Sequence, residues 1–180
     1  PEYVDSVWWS LKMIFDDGLL EQDHRVSPYC PRCGTTLSDH ELAQGYETVV
    51  DPSVFVTCEV LDGDLAQRFP GVQLLVWTTT PWTLVSNTAV AVSAEATYVV
   101  ARSGELILVV AEDLLGATLG DDAQILHRLP GSELEGFHYR RPFDLVDIPD
   151  AHFVILGDFV TTSDGSGIVH LAPAFGADDL

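Results

Sequence analysis

The sequence predicts an α+β fold, in which a closed or nearly closed β-barrel carries a few peripheral helices. Short strand-like segments recur through most of the 180 residues, and dipeptides such as Asp62-Gly63 and Pro130-Gly131 indicate turns between them. Helical patterns, in contrast, are few. This length is sufficient for one domain with a sizeable core, or for one domain with a small appendage.

Residues 1–46 are predicted to form an N-terminal helix and an irregular linker. Apolar residues recur at helical spacing from Val4 to Phe15, Pro1 suits the first helical position, and Gly18 is a suitable end. At the other terminus, residues 175–180 resemble the first turn of a helix that contains Asp178 and Asp179. We therefore expect both termini to be interior points of a longer chain.

Residues 47–180 are predicted to form the barrel. A short helix is predicted at Glu112–Leu119, between the strands. Eight segments have the alternating or continuously apolar pattern of strands: Val54–Val60, Val72–Thr78, Thr88–Ser93, Thr97–Arg102, Glu105–Ala111, His152–Leu156, Asp158–Thr162 and Gly167–Ala172.

The charge balance argues against autonomous binding of nucleic acid. The chain has 8 basic and 28 acidic residues, a net charge of -20, whereas phosphate contacts require clustered lysine and arginine. If a nucleic acid reaches this domain, another part of the protein must hold it. The simplest reading of the charge is a soluble acidic surface. No apolar run approaches the roughly 20 residues that span a bilayer, and the N-terminus lacks a signal-peptide pattern.

Cysteine usage indicates a reducing compartment, so we expect a cytoplasmic protein. The count is odd, because Cys58 stands apart from the pair Cys30 and Cys33. That pair has the CxxC spacing with which two thiolates hold one metal, but a structural zinc requires four ligands. The preferred interpretation is a half-site whose second pair lies outside this chain. A site completed by His24 or His40, or simply two free thiols, are the alternatives.

The stretch WTTTPWTLVSN, Trp77–Asn87, ends a predicted buried strand with three consecutive threonines. Because side chains alternate along a strand, at most two of these hydroxyls should face one pocket. Threonine is also a good strand former, so the alternative is an ordinary strand end with polar residues. Pro81 then turns the chain, Trp82 can pack back on the core, and Asn87 is positioned to face the same mouth.

A second unusual stretch, Gly165–Asp179, runs from a turn into a strand that contains His170. A rigid corner at Pro173 and two carboxylates, Asp178 and Asp179, follow. Taken singly, such a histidine is more often a core residue, and such carboxylates usually only complement a helix dipole. Together with the threonines, however, they form a mouth suited to a small polar ligand with a positive charge.

These two stretches, Trp77–Asn87 and Asp164–Asp179, resemble the editing domain of isoleucyl-tRNA synthetase, a large insertion within the class I catalytic domain. Tyr29–Ser38 and Tyr46–Val56 are similar as well, so the resemblance covers nearly the whole chain. The related valine and leucine enzymes carry Thr-Thr-Arg-Pro instead of Thr-Thr-Thr-Pro-Trp. One departure is Val85, where a proline is common, and the family's second cysteine pair is absent.

The resemblance implies the β-barrel-rich editing fold shared with the valyl and leucyl enzymes, and post-transfer editing as the activity. Isoleucine differs from valine by one methylene, worth only about 1–3 kcal/mol in an apolar pocket, a limit for which this family is itself the established example. A second site would hydrolyse valine wrongly esterified to the tRNA for isoleucine. The implied partners are the valine-carrying 3′ end of that tRNA and the remainder of the synthetase, with no membrane.

The resemblance also implies roles for individual residues. Asp179 would accept the α-ammonium of the aminoacyl group, and Thr79 and Thr80 would hydrogen-bond the ester and the terminal adenosine. The other residues implied to bind substrate are Trp77, Thr78, Thr83, Asn87 and His170, with Trp77 and His170 bounding the side-chain pocket.

A water would attack the ester carbonyl, positioned by these residues and not by a strong protein base. We assign no protein nucleophile and expect no metal at this site. Zinc bound through Cys30 and Cys33 is expected only in a full-length synthetase, and ATP would be used by the absent catalytic domain. The alternatives are a zinc-stabilised binding module without chemistry, an insertion that only positions tRNA, or the editing domain of a valyl or leucyl relative.

Overall fold

A computed structural model describes residues 2–50 and 52–179 and has the predicted α+β architecture, a curled β-sheet with few helices. Pro1 and Leu180, on which the two expectations about the termini partly depend, lie outside these residues. The helices are α1 (Glu2–Asp16), α2 (Asp39–Ala43), α3 (Gly63–Arg68) and α4 (Leu115–Leu119), with 3-10 turns at Pro81–Ser86, Glu112–Leu114 and Gly131–Leu134. The strands are β1 (Tyr29–Cys30), β2 (Thr35–Thr36), β3 (Val54–Glu59), β4 (Gln73–Thr78), β5 (Ala89–Val92), β6 (Thr97–Ser103), β7 (Leu106–Ala111), β8 (Gln124–Pro130), β9 (Phe153–Leu156) and β10 (Ile168–Leu171).

Strand β4 lies at the centre of the main sheet and is shared by two groups of strands. The order is β8-β6-β7-β4-β10-β5-β9, and β3 pairs with the opposite edge of β4. Two parallel strands divide one edge of β4: β7 pairs with Gln73 and Leu74, and β10 pairs further along, where Val169 is opposite Trp77. The end of β7 meets the start of β10, since the Ala111 amide donates to the Ser166 carbonyl at 2.9 Å. The sheet therefore forks along β4.

The half of the sheet that contains β10 closes into a ring of backbone hydrogen bonds. Isolated bridges join His138 to Phe153 of β9 and Tyr139 to Val60, which follows β3. The Tyr139 amide donates to the His152 carbonyl at 2.9 Å, and the Leu61 amide donates to the His138 carbonyl at 2.8 Å. The order β3, β4, β10, β5, β9 and the His138–Tyr139 segment thus returns to its start, which is how a barrel removes its open edges.

The core lies inside this curled sheet because its strands are rich in β-branched and other apolar residues. Strand β5 is buried along its whole length, as expected for a strand covered on both faces. Fully buried side chains with large volumes come from five of the strands and from the loops between them, among them Tyr98, Tyr139, Leu74, Leu134 and Ile168.

Residues 2–50 contribute little to this core. Helix α1, predicted from its apolar periodicity, is present but has no buried side chain, so large apolar residues such as Trp8, Trp9 and Phe15 are exposed. Helix α2 begins with a capping box, in which Ser38 and Glu41 bond each other's backbone amides. No described helix combines the length and the apolar character that crossing a membrane requires.

Two predictions about elements were wrong. Asp158–Thr162 is a turn and not a strand, since the Val160 amide donates to the Gly157 carbonyl at 3.2 Å and only Val160 enters the core. Gln124–Pro130, whose sequence pattern did not indicate a strand, is β8. The first helical turn predicted at residues 175–180 includes Leu180, which lies outside the described residues, and Asp178 and Asp179 lie in a turn. The short helix predicted at Glu112–Leu119 is confirmed, as a 3-10 turn that continues into α4.

Candidate functional site

A cleft of about 300 Å³ opens where β4 and β10 end. The two strands are parallel, so their carboxyl ends meet at one edge of the sheet, and the pairing of Trp77 with Val169 brings Thr78 and His170 to the same level. Residues from β4, the Pro81–Ser86 turn, β10 and the loop that follows β10 line this cleft: Trp77, Thr78, Thr79, Thr80, Trp82, Thr83, Val169, His170, Phe175, Gly176 and Asp179.

All three threonines of the motif line the cleft, whereas strand alternation predicted at most two. The reason is that β4 ends at Thr78, so the alternation no longer applies to Thr79 and Thr80. The Thr80 amide donates to Thr78 Oγ1 at 3.1 Å, and Thr80 Oγ1 lies 3.2 Å from Thr83 Oγ1. The turn is therefore stabilised by its own hydroxyls, while the side chains of Thr79 and Thr80 remain exposed to solvent.

His170 forms part of the buried wall of the cleft and is bonded through both ring nitrogens. Nε2 lies 3.0 Å from Thr83 Oγ1, and Nδ1 lies 2.8 Å from Asn87 Nδ2. Burial lowers the pKa of His170, although the Asp179 carboxylate and the contact with Thr83 oppose this effect. The ring is therefore neutral at neutral pH.

Asn87 is buried behind His170 and does not line the cleft, which differs from the position expected from the sequence. Its Nδ2 donates to the Ala89 carbonyl at 2.9 Å, and its Oδ1 accepts from the Tyr139 hydroxyl at 2.6 Å. Every polar atom of the Asn87 side chain thus has a protein partner. The residue contacts His170 and is not positioned to contact a ligand directly.

Asp179 reaches the cleft from the loop after β10. Its Oδ2 accepts from the Ala172 amide at 3.0 Å, which ties this loop to the end of the strand. Gly176 allows the close approach, because a Cβ at that position would lie 3.0 Å from Asp179 Cγ. Asp178, the other candidate carboxylate, is exposed and does not line the cleft.

Aromatic residues form the remaining walls. The ring of Trp77 packs on the backbone of Gly165, where a Cβ would lie 2.5 Å from Trp77 Cδ2. Trp82, whose position after Pro81 predicted packing on the core, is instead 66% exposed and lines the cleft. Phe175 is 58% exposed and lines it as well. Phe175, Gly176 and Val169 were not identified from the sequence as site residues, although all three lie within the stretch that suggested the site.

The CxxC pair lies far along the chain from these residues, in a small β-hairpin. Strands β1 and β2 flank the turn, the Gly34 amide donates to the Cys30 carbonyl at 2.8 Å, and the Cys33 amide donates to Cys30 Sγ at 3.4 Å. These contacts, led by the Cys33 amide, lower the pKa of Cys30, and the neighbouring Cys30 sulfur raises the pKa of Cys33. In the described part of the chain, no three Cys, His, Asp or Glu residues are grouped as metal ligands.

The chain is similar in sequence to isoleucine–tRNA ligases. No protein-family model matches the chain. It is 64% identical over 181 residues to the isoleucine–tRNA ligase of Thermobifida fusca, and 48% identical over 180 residues to that of Thermus thermophilus. These alignments cover 99% and 100% of this chain, respectively, but the chain spans only 17% of the length of each of these relatives.

Solved structures are similar in fold. The crystal structure of GlLeuRS-CP1 has a TM-score of 0.58 at 20% identity, over 71% of this chain and 56% of that chain. The editing domain of P. knowlesi cytosolic leucyl-tRNA synthetase has a TM-score of 0.53 at 14% identity, over 67% of this chain and 56% of that chain. At these identities the likeness concerns the fold alone.

Proposed function

The chain belongs to the isoleucine–tRNA ligase family, as a segment with an editing-domain fold, and from this premise we propose that it hydrolyses valine wrongly esterified to the tRNA for isoleucine. One observation carries the proposal. A single cleft combines a carboxylate, Asp179, with exposed threonine hydroxyls and a wall that contains Trp77 and His170. These are the groups required to hold an ammonium ion, an ester and a small apolar side chain.

Asp179 binds the α-ammonium of the aminoacyl group through a charge-assisted hydrogen bond. The carboxylate has two acceptor oxygens, so it can bind the ammonium while it still accepts from the Ala172 amide. Because that amide and Gly176 hold the carboxylate in place, little side-chain entropy is lost when the ligand binds.

The hydroxyls of Thr79 and Thr80 hydrogen-bond the ester and the terminal adenosine, and a water attacks the ester carbonyl. His170 is a poor candidate for the base, because both of its nitrogens are already bonded within the protein. Positioning of the ester and the water therefore supplies most of the catalysis. Thr78 and Thr83 fix the shape of the turn that presents these hydroxyls, through the contacts among the threonines.

Exclusion of isoleucine requires a steric barrier to the larger side chain, since one methylene changes affinity by only about 1–3 kcal/mol. In the proposal, Trp77 and His170 form this steric barrier. The Gly165 backbone holds the first ring, and Thr83 and Asn87 hold the second. Both walls are therefore fixed before a substrate arrives.

Outside the cleft, we propose that Cys30 and Cys33 provide half of a structural zinc site, completed by two cysteines elsewhere in the synthetase. The hydrogen bond from the Cys33 amide favours the Cys30 thiolate, which is the form that binds metal. Isoleucine ligation and the use of ATP are activities of the rest of such an enzyme, and the proposed compartment is the cytoplasm.

The test is deacylation of valyl-tRNA(Ile) by the synthetase that contains this chain, compared with its Asp179→Ala variant. Loss of a hydrogen bond to a charged group should reduce the rate at subsaturating substrate by roughly 10- to 100-fold. Asp178→Ala is the matched control, because it removes the neighbouring exposed carboxylate, and it should retain the parental rate.

Isoleucylation should remain unchanged in both variants, since the change lies in the editing cleft. A parental enzyme without hydrolysis of valyl-tRNA(Ile) would reject the proposed activity and favour a binding module without chemistry. Equal rates for Asp179→Ala and the parent would show that the ammonium receptor lies elsewhere.

A further inference from the structure

Tyr139 is a buried polar residue that the proposed reaction does not use directly. Its side chain is 2% exposed, and its hydroxyl donates to Asn87 Oδ1 at 2.6 Å. Asn87 in turn contacts His170, so Tyr139 reaches the wall of the cleft from behind, through one intervening side chain.

The orientation of the Asn87 amide follows from its partners. The Ala89 carbonyl can only accept a hydrogen bond, so the side-chain atom 2.9 Å away from it must be Nδ2. The same Nδ2 lies 2.8 Å from His170 Nδ1. Since Nδ2 has two protons and no acceptor capacity, His170 Nδ1 accepts the second of them and carries no proton itself.

This arrangement determines the tautomer of His170. In a neutral ring with a bare Nδ1, the proton lies on Nε2, which then donates to Thr83 Oγ1 at 3.0 Å. Thr83 Oγ1 uses its own proton to donate to the Thr80 carbonyl at 2.8 Å. The donors thus run in one direction, from the Tyr139 hydroxyl through Asn87, His170 and Thr83 to the backbone of the threonine turn.

We propose that Tyr139 is a positioning residue for the size-limiting wall of the cleft, and that its hydroxyl holds the Asn87 amide in place so that His170 stays neutral, protonated on Nε2 and bonded to Thr83. The consequence of this inference, better discrimination between valine and isoleucine, rests on the proposed function. Its structural part, the protonation and tautomer of His170, is independent of that function.

The backbone of Tyr139 makes this residue suited to the role. Its amide donates to the His152 carbonyl, and it bridges Val60, so the residue is part of the hydrogen bonding that closes the barrel. Burial also raises the pKa of Tyr139, so its hydroxyl remains a donor at neutral pH. A fixed, neutral donor therefore faces Asn87.

The groups around His170 have opposing effects on its pKa, so the loss of one of them should shift that pKa measurably. Asp179 faces the ring from the cleft and favours its protonated form, whereas burial and the proton donated by Asn87 disfavour that form. In Tyr139→Phe the Asn87 oxygen loses its donor, so the Ala89 carbonyl alone holds the amide and the hydrogen bond from Asn87 Nδ2 to His170 Nδ1 weakens. The protonated ring becomes more favourable, so the pKa of His170 should move upward.

The structural test is ¹⁵N NMR of the 180-residue chain labelled at its 6 histidines, with His170→Gln to assign the signal of interest. The parent should show an unprotonated Nδ1 and a protonated Nε2 for His170. Tyr139→Phe should move the midpoint of the His170 titration to higher pH. A parental spectrum with a protonated Nδ1 at neutral pH would overturn the proposal by itself.

Tyr98→Phe is the matched control. Tyr98 is also fully buried, and its hydroxyl donates to the Gly167 carbonyl at 2.6 Å, but it has no contact with Asn87. The control should lose a similar amount of stability while the His170 titration stays as in the parent. An equal change of the titration in both variants would mean general loosening and would overturn the specific role of Tyr139.

The functional arm compares deacylation of valyl-tRNA(Ile) and isoleucyl-tRNA(Ile) by the whole synthetase with the same substitutions. Tyr139→Phe should reduce the ratio of the two rates by roughly 2- to 10-fold, the factor that one hydrogen bond represents. An unchanged ratio together with an unchanged His170 spectrum would reject the positioning role. Absence of hydrolysis in the parent would reject the proposed function instead, and the spectra would still decide whether Tyr139 controls His170.

Discussion

At the scale of single residues, His170 is notable because it has no free nitrogen. Both nitrogens are bonded, to Thr83 and to Asn87, and the ring is buried, so it is held in place as a wall of the cleft. A histidine that acts as a base needs a nitrogen within reach of the attacking water. The contacts of His170 therefore favour a role in limiting the size of the substrate.

His170→Ala should hydrolyse correctly charged isoleucyl-tRNA(Ile), because truncation of the ring leaves space for the additional methylene. Its rate on this substrate should rise by roughly tenfold or more, within the range that one methylene can confer, while much of the rate on valyl-tRNA(Ile) remains. The measurement is the deacylation rate of each charged tRNA by the full-length enzyme.

His127→Ala is the control for this substitution, since His127 lies on β8 and contacts Arg68, away from the cleft. It should leave both deacylation rates unchanged. If both rates fall together in His170→Ala and isoleucyl-tRNA stays protected, His170 is catalytic or structural and not a size limit.

At the scale of elements, the sequence predicted those strands whose apolar pattern is strong. Seven of the eight predicted segments correspond to strands, to within one residue at each end: β3, β4, β5, β6, β7, β9 and β10. Strand β8 was missed because its mixture of polar and half-buried residues, around His127, lacks a clear period. Asp158–Thr162 was predicted wrongly, because a turn that buries only Val160 has the same residue types as a strand.

The site was also predictable only in part, because its local residue pattern was visible in the sequence and its long-range contacts were not. The residue types of the two motifs indicated the cleft, but the position of Asn87 depends on β10, which is distant in sequence. Tyr139 could not be identified at all, since its hydroxyl reaches Asn87 only because the barrel closes at the His138–Tyr139 segment. Local patterns do not report contacts of this kind.

The CxxC hairpin allows a prediction about metal. The full-length synthetase should hold one zinc ion per molecule at this site, and Cys30→Ser together with Cys33→Ser should abolish it, because thiolates are the ligands that the site supplies. The 180-residue chain alone should bind zinc weakly or not at all. Elemental analysis of purified protein measures both.

Cys58→Ser is the control, because burial raises the pKa of Cys58 to about 12 and its thiol is not available to a metal. This variant should retain the zinc of the full-length protein. Tightly bound stoichiometric zinc in the 180-residue chain would contradict the half-site and favour His24 or His40 as additional ligands.

At the scale of the whole molecule, the net charge of -20 opposes contact with the backbone of a tRNA. Several of the basic residues are also paired with carboxylates, among them Lys12, Arg128, Arg140 and Arg141. The proposed function therefore requires other parts of the synthetase to hold the body of the tRNA while its end enters the cleft.

The 180-residue chain should consequently hydrolyse valyl-tRNA(Ile) with a KM roughly tenfold or more above that of the whole synthetase, because the phosphate contacts are missing. Steady-state deacylation by both proteins, at one salt concentration, measures this difference. Valyl-adenosine, which lacks the body of the tRNA, serves as the control substrate and should be hydrolysed about equally well by both. Equal KM values on valyl-tRNA(Ile) would contradict the dependence on the remaining chain.

The fork of the sheet along β4 has a consequence for how such a domain can vary. Thr78 and His170 share the cleft because Trp77 pairs with Val169, and a slip of either strand by one residue would turn that strand's side chain to the opposite face. Loops impose no such condition, because the entropic cost of closing them grows slowly with length. Insertions can thus accumulate in the connecting segments and change the surface of the domain, whereas a single added residue within β4 or β10 would remove Thr78 or His170 from the cleft.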